Sequence, residues 1–387
     1  VNEQPYLSER LQGFGATIFA QMSALAVRTQ SINLGQGFPD TDGPAEVSEA
    51  AIQAIRDGHN QYPPLPGIEP LRWAIAEHRL RFRGQRFDPD AEVLVTAGAT
   101  EALAASLLAL TGPGDEVITF QPYHDSYAAG IAMSGAKRRV VTLRAPDFAF
   151  DPVELAAAFN SRTKVLLLNS PHNPTGKVFS AEELQAIAEL CVRHDVVAVT
   201  DEVYEHLVFE GRHIPLATLP QMAERTVTIS SAGKIFSFTG WKIGWACAPA
   251  PLLSAVRTAK QFLTFVSGAP FQHAVTVGLR LGDDFFDGYT ADMRAKRDRL
   301  CSGLASAGFE VMRPQGTYFA TCDISAFGYS DGVEFCLALP ERCGVVAVPS
   351  QVFYDNADAG RQLVRFAFCK RDEVLDEAVA RLTTGFG

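Results

Sequence analysis

Two lysines eight residues apart, Lys234 and Lys242, stand in a stretch that could carry covalent chemistry. The stretch opens with a β-branched run, Thr226 to Ile229, of the kind that forms a buried strand. Ser230, Ser231, Ala232 and Gly233 follow, then Lys234, then aromatic residues and the Thr239-Gly240 turn. A lysine at the C-terminal edge of a strand, among small and apolar neighbours, loses solvation. Its pKa falls towards a range where the amine acts as nucleophile or base, including Schiff-base formation with a carbonyl. The same position also suits a buried lysine paired with a carboxylate, and this stretch alone does not choose.

Three further clusters have residue types that a site would need. Gly98-Ala99-Thr100 comes before a predicted helix over 101–110, where free N–H groups and the helix dipole favour an anion, although a plain N-cap by Thr100 would read the same. Ser170 to Gly176 ends an apolar run in a polar turn that presents Asn173, which turn chemistry alone would also explain. Asp201 and Tyr204 put a carboxylate and a phenol after the next apolar run, and a buried Asp there needs a cation or several donors. Each cluster is ambiguous singly, but all four fall after apolar runs.

Those runs are the elements that must position the chemistry. Apolar segments at 93–96, 116–120, 139–143, 164–168, 196–200 and 226–230 read as strands. Helical patterns at 101–110, 126–134, 152–159 and 181–193 separate them. The expected fold is α/β: a mostly parallel sheet covered by helices on both faces, with ligands beyond the C-terminal strand ends. A smaller α+β unit follows, with a long polar helix over 289–307, strands at 309–312, 317–322, 345–348 and 363–368, and a closing helix. The division expected is 1–45 for an N-terminal arm and part of the small domain, 46–284 for the large domain and 285–387 for the small C-terminal domain.

Composition narrows the class. The 387 residues are 47% hydrophobic and 20% charged, as in a soluble globular enzyme of more than one domain. A formal charge of −10 argues against nucleic acid as partner. The nearest basic tract, Arg79, Arg81, Arg83 and Arg86, reads as a solvated helix end. The longest apolar run, 102–110, is too short to span a bilayer. Seven scattered cysteines without a CxxC pair or a visible signal peptide suggest reduced thiols and a cytoplasmic protein, and no metal-ligand set is expected.

Read together, the motifs resemble the fold-type I pyridoxal-phosphate aminotransferases of class I/II, over essentially the whole chain. The resemblance rests on Gln36-Gly-Phe-Pro-Asp40, Asn173-Pro-Thr-Gly176, Asp201-Glu-Val-Tyr204, Ser231-Ala-Gly-Lys234 through Lys242, and Val364-Arg-Phe366, in family order. It implies pyridoxal 5'-phosphate held covalently by Lys234, with Asp201 on the pyridinium nitrogen and Asn173 and Tyr204 on the ring 3-oxygen. Gly98, Ala99, Thr100, Ser231 and Lys242 would take the phosphate, joined by Tyr62 from the partner of a homodimer with shared sites. Gly37, Asn173 and Arg365 would hold the substrate α-carboxylate, and Phe19 would line the side-chain pocket. A carboxylate at about 3 Å and an effective dielectric of about 20 attracts a pyridinium by roughly 5 kcal/mol before desolvation.

Some positions depart from the family pattern. Lys242 stands where many relatives have arginine, and Ile235 where threonine is common. His124 occupies the place of an aromatic stacked on the ring, with Tyr123 as the alternative. Within the family, Gly98 to Ala102, Asp125-Ser-Tyr127, Ile229 to Cys247 and Phe366 to Asp372 resemble actinobacterial N-succinyldiaminopimelate aminotransferases. Asn33 to Asp40, Asn60 to Pro64 and Thr200 to Phe209 also resemble the kynurenine/glutamine transaminase and cysteine-conjugate β-lyase branch. The expected substrates are thus small-molecule amino acids and 2-oxo acids, with N-succinyl-LL-diaminopimelate and glutamate ranked ahead of kynurenine, glutamine or aromatic amino acids. Arg28, Lys260 and His273 are the cations considered for a distal substrate carboxylate. A regulator using the same fold as an effector-binding module would need an added DNA-binding segment, which a short arm and acidic chain disfavour.

Overall fold

The computed structural model describes residues 6–15 and 17–386, and all structural statements concern these residues. Residues 1–5 and 16 of the expected arm lie outside them, as does Gly387.

The central sheet runs in the order Val93–Thr96, Gly244–Cys247, Thr226–Ser231, Val197–Asp201, Thr163–Asn169, Glu116–Gln121 and Lys137–Thr142. The last five are parallel to one another. The near-continuous apolar sequence of the inner strands follows from burial on both faces, whereas the edge strand Lys137–Thr142 is partly exposed. Alternate residues of one strand serve opposite sides: Val165 and Leu167 pack with Leu107, Ile131 and Val256, whereas Leu166 and Leu168 pack with Leu184, Ile187 and Leu190.

Gly244–Cys247 was not among the expected strands. It is short and poor in β-branched residues, and it becomes a strand because antiparallel partners pair with it on both sides. The chain therefore reverses between Ser231 and Gly244, which face each other across the ladder, and Lys234 and Lys242 share that turn. A Cβ at Gly244 would lie 2.5 Å from the Gly98 carbonyl carbon, so glycine is what lets this strand lie against the first turn of the helix Gly98–Leu110. In the same register Asn169 lies beside Asp201, and Asp201 beside Ile229. The four chemical clusters thus meet along one edge.

A second sheet is antiparallel, in the order Val348–Pro349, Leu363–Ala367, Phe319–Asp323 and Glu310–Met312. The expected strand at 345–348 is two pieces, because the chain passes from one sheet to another at Ala347. Val345–Val346 pairs in parallel with Ile32–Asn33, and Val348–Pro349 with Leu363–Ala367. The helix Ile18–Thr29 adds Met22, Leu25 and Ala26 to the core around this sheet. The helix expected from 289 begins earlier, as Asp283–Ser306, with Phe286 buried in its first turn. All seven cysteines are free thiols, and among the described residues no helix is long and apolar enough to cross a membrane.

The reading of the arginine tract as a solvated helix end is wrong for Arg79 and Arg83. In the helix Glu69–Arg83, Arg79 continues the buried ridge of Leu71 and Ile75 at four-residue spacing. Its side chain is fully buried, with Nη2 donating to Glu202 at 2.9 Å and Nη1 to Glu205 at 2.7 Å. Arg83 adds a 2.8 Å bond from Nε to the same Glu205 oxygen. Only Arg81 and Arg86 are exposed. Burial works to raise both carboxyl pKa values, but Arg79, helped by His213 at Glu202 and Arg83 at Glu205, holds both below the usual range. Replacing Arg79 with methionine would leave two buried carboxylates short of a partner. Arg79→Met should lose about 3–5 kcal/mol of stability in chemical denaturation; a loss below about 1 kcal/mol would mean that water reaches these groups.

Candidate active site

A cavity of about 350 Å³ opens where the sheet's C-terminal edge meets the second sheet. Every expected site residue except Tyr62 lines it.

Lys234 is carried by the single turn Ala232–Ile235, directly after the strand Thr226–Ser231. Its Nζ donates to the Tyr318 hydroxyl at 2.8 Å and to the Gly37 carbonyl at 3.2 Å, and Tyr318 donates to the same carbonyl at 2.5 Å. No carboxylate pairs with it among the described residues, so the paired-lysine alternative is not what the chain builds. Burial, with Arg365 and Lys242 nearby, outweighs the pull of Asp201 and lowers its pKa to about 8.

Asp201 ends its strand and is buried. The Tyr127 hydroxyl donates to Oδ2 at 2.6 Å and the Val203 amide to Oδ1 at 3.3 Å. Burial still raises its pKa, because these two donors do not offset the loss of water. Tyr204, one turn on, packs edge-to-face on Tyr318 at 5.1 Å, and burial raises its pKa as well.

Arg365 sits in the middle of Leu363–Ala367 with 1% of its surface exposed. Nη1 donates to Asn173 Oδ1 at 2.9 Å and Nη2 to the Gly35 carbonyl at 3.0 Å, while Nε has no partner. Its guanidinium lies 4.0 Å over the Phe319 ring and 5.2 Å from that of Phe19. Among the described residues no carboxylate forms an ion pair with it, and burial brings its pKa down to about 10. A buried cation left without an anion is a site for one. Asn173 is fixed by its backbone N–H, which donates to Asn169 Oδ1 at 2.7 Å. A Cβ at Gly37 would meet the Phe319 ring at 2.5 Å, so the loop beside Arg365 closes only on glycine.

At the other end, the helix begins at Gly98 itself, earlier than expected, so Ala99 and Thr100 are its first-turn residues and their N–H groups have no intrahelical acceptor. Thr100 is therefore not the N-cap. Ser231 and Lys242 line the same end, and Lys242 Nζ lies 3.1 Å from where a Gly98 Cβ would stand. His124 lines the cavity, stacked towards Phe19 at 6.5 Å and bonded through Nδ1 to Ser126 at 2.7 Å. Tyr123 does not line it; its hydroxyl is taken by Asp355. The residues present fit pyridoxal phosphate: N–H groups, a hydroxyl and an ammonium for a phosphate, a buried carboxylate for a ring nitrogen, and an amine for a carbonyl carbon.

One set of placements differs from the sequence reading. None of the three cations considered for a distal carboxylate lines the cavity. Arg28 is exposed on its helix, His273 stacks on His59 at 3.9 Å, and Lys260 is buried and donates to the Leu65 and Phe265 carbonyls. Tyr62 is 81% exposed, edge-on to Phe265 at 5.7 Å. Conversely, Tyr127 and Tyr318 escaped the reading although they hold Asp201 and Lys234. Tyr127 follows the His124 loop, and its place in a helix gave no sign that it reaches a strand end; Tyr318 read simply as a strand aromatic.

Comparison with known proteins follows the same lines. The family model described as aminotransferase class I and II matches residues 29–382. The structure of N-succinyldiaminopimelate aminotransferase from Mycobacterium tuberculosis is similar at TM-score 0.95 and 54% identity, covering 98% of this chain and 99% of that one. The methionine aminotransferase of Escherichia coli is 41% identical across 96% of this chain and 97% of its own. The mouse kynurenine–oxoglutarate transaminase 3 is 37% identical across 96% and 88%.

The lowered pKa of Lys234 has a direct readout. The neutral amine is the reactive form, so its fraction grows as pH rises through the pKa. In cofactor-free protein, acylation of Lys234 followed by peptide mass spectrometry should rise around pH 8, against 10.5 for an ordinary lysine. A midpoint at the ordinary value would mean that burial does not desolvate this amine.

Proposed function

The chain belongs to the class I and II aminotransferases, and on that premise we propose that it uses pyridoxal 5'-phosphate to transfer an amino group between glutamate and the keto form of N-succinyl-LL-2,6-diaminopimelate, a step of lysine biosynthesis. The observation that carries amino-acid chemistry at this cavity is the unpaired, buried Arg365 facing the same space as a deprotonatable Lys234. The substrate rests on 54% identity over nearly the full length of the mycobacterial enzyme.

When bound, the cofactor supplies an electron sink that acidifies the substrate's Cα–H bond. Arg365 would grip the α-carboxylate through its guanidinium fork, held in plane by Asn173 and Gly35. Asn173 would use its amide nitrogen, since its oxygen already serves Arg365, to donate to the ring 3-oxygen beside Tyr204. Asp201, steadied by Tyr127 and the Val203 amide, would keep the ring nitrogen protonated. The first-turn amides of Ala99 and Thr100, with Ser231 and Lys242, would hold the phosphate. His124 would cover the ring. Lys234, tethered by Tyr318 and Gly37, would hold the cofactor's carbonyl carbon and serve as the base for the proton on the substrate's Cα.

A second reading, a kynurenine, glutamine or aromatic transaminase with possible β-lyase activity, has one observation in its favour. Phe19, His124 and Phe319 line the cavity, and among the described residues its only Lys or Arg side chains are Lys234, Lys242 and Arg365, each already given a role. One set of steady-state assays separates these readings. Protein stripped of cofactor should regain activity only with pyridoxal phosphate. The kcat/KM for the succinylated pair should exceed that for glutamine and kynurenine; a reverse preference above about tenfold, some 1.4 kcal/mol, would favour the second reading.

The exposed Tyr62, on the loop stiffened by Pro63 and Pro64, is proposed to complete the phosphate site of a second copy in a homodimer. Phe262, 80% exposed, lies close in sequence to its ring partner Phe265 and would be covered with it. Mixed Tyr62→Phe and Lys234→Ala chains should regain activity through hybrids that hold one site free of both substitutions. A fully active single chain in sedimentation would end this proposal.

A further inference from the structure

Behind the turn that carries Asp201 and Tyr204 lies a group of polar side chains that the reaction does not use. His78, from the helix Glu69–Arg83, and His206 bring their Nε2 atoms to 2.8 Å. Glu205 stands with them, and one ligand atom from each of the three lies within 4.8 Å of the others. Both Arg79 and Arg83 bind Oε2 of Glu205, whereas Oε1 is buried with no partner. Glu205 itself is 1% exposed, so a partnerless oxygen is costly unless something takes it.

We propose that His78, His206 and Glu205 form a binding site for a divalent transition metal, with zinc as the fitting ion. Two imidazole nitrogens and one carboxylate oxygen make a ligand set that zinc accepts with one position left for water. The unpaired Oε1 is the ligand oxygen, and the two arginines fix the carboxylate through the other oxygen, as outer partners do at metal sites. Tetrahedral bonds of about 2.0–2.1 Å put ligand nitrogens somewhat over 3 Å apart, so the two rings would part slightly on binding. A cleft of about 510 Å³, lined by Glu205, His206 and Asp287, gives the ion a path from solvent and the fourth position room for water.

The competing arrangement is an N–H···N bond between the two rings, with a water on Oε1. Charge sets a limit on the affinity: Arg79 and Arg83 balance Glu202 and Glu205, and the cleft's other charged groups, Asp287 and Arg212, are of opposite sign. Binding should therefore be weaker than at a thiolate site.

The test uses the full-length protein, treated with chelator and dialysed against zinc. One zinc per chain should bind, with a rise in melting temperature. His78→Gln and His206→Gln should each weaken binding about tenfold or more, and zinc should no longer raise their melting temperatures. Equal zinc stoichiometry and affinity in the double variant would overturn the site, as would no zinc bound to the parent. If the variants fail to fold, the zinc-edge X-ray absorption of the parent decides. Two imidazoles with oxygen ligands support the site; sulfur ligands, or fewer than two imidazoles, refute it.

Discussion

Arg79, buried between Glu202 and Glu205, fixes the part of the chain on which the candidate site depends. The segment from Asp201 to Glu205 presents two faces: Asp201 and Tyr204 line the cavity, while Glu202 and Glu205 turn back to the arginine. At about 3 Å and an effective dielectric of about 20, each pair attracts by roughly 5 kcal/mol, against a desolvation cost of several kcal/mol per ion. The net stability gained is therefore small, but the penalty for leaving any one charge alone is large. That penalty holds the turn in one conformation, and Asp201 and Tyr204 inherit their positions from it.

The cavity itself works with the opposite imbalance. Lys234, Lys242 and Arg365 share it with Asp201 as the single carboxylate in its lining. A chain of net charge −10 thus concentrates positive potential where anionic substrates and a phosphate would bind. The same crowding has two effects. It lowers the pKa of Lys234, whose charged form is disfavoured by burial and by its cationic neighbours. It also leaves Arg365 with neutral partners, so that much of its interaction capacity is kept for a ligand's carboxylate.

The second sheet supplies what the parallel sheet lacks. Tyr318, next to the strand Phe319–Asp323, ties Lys234 to the Gly37 loop, and Arg365 reaches from the adjacent strand to Asn173 at the edge of the large sheet. These bonds join residues that are 84, 281 and 192 positions apart. The site is therefore a junction of two sheets, and its geometry depends on how they pack.

The sequence by itself determined the parallel strands, because a strand buried on both faces must be apolar along its length, as in Val165 to Leu168. It singled out Lys234, Asp201 and Asn173 as polar residues after such strands, and Arg365 through the family resemblance, and the structure brings all four to one cavity. Tertiary structure alone decided the rest. Arg79 looked solvated because a run of arginines suggests a surface, and only the carboxylates of a segment more than a hundred residues away turn it inward. Gly244–Cys247 is a strand because of its neighbours rather than its own residues. Tyr127 and Tyr318 gain their roles from distance-spanning hydrogen bonds, and Arg28, Lys260 and His273 lose theirs because their elements point elsewhere. Local pattern encodes burial and periodicity, whereas a buried polar group's partner is set by which elements pack together.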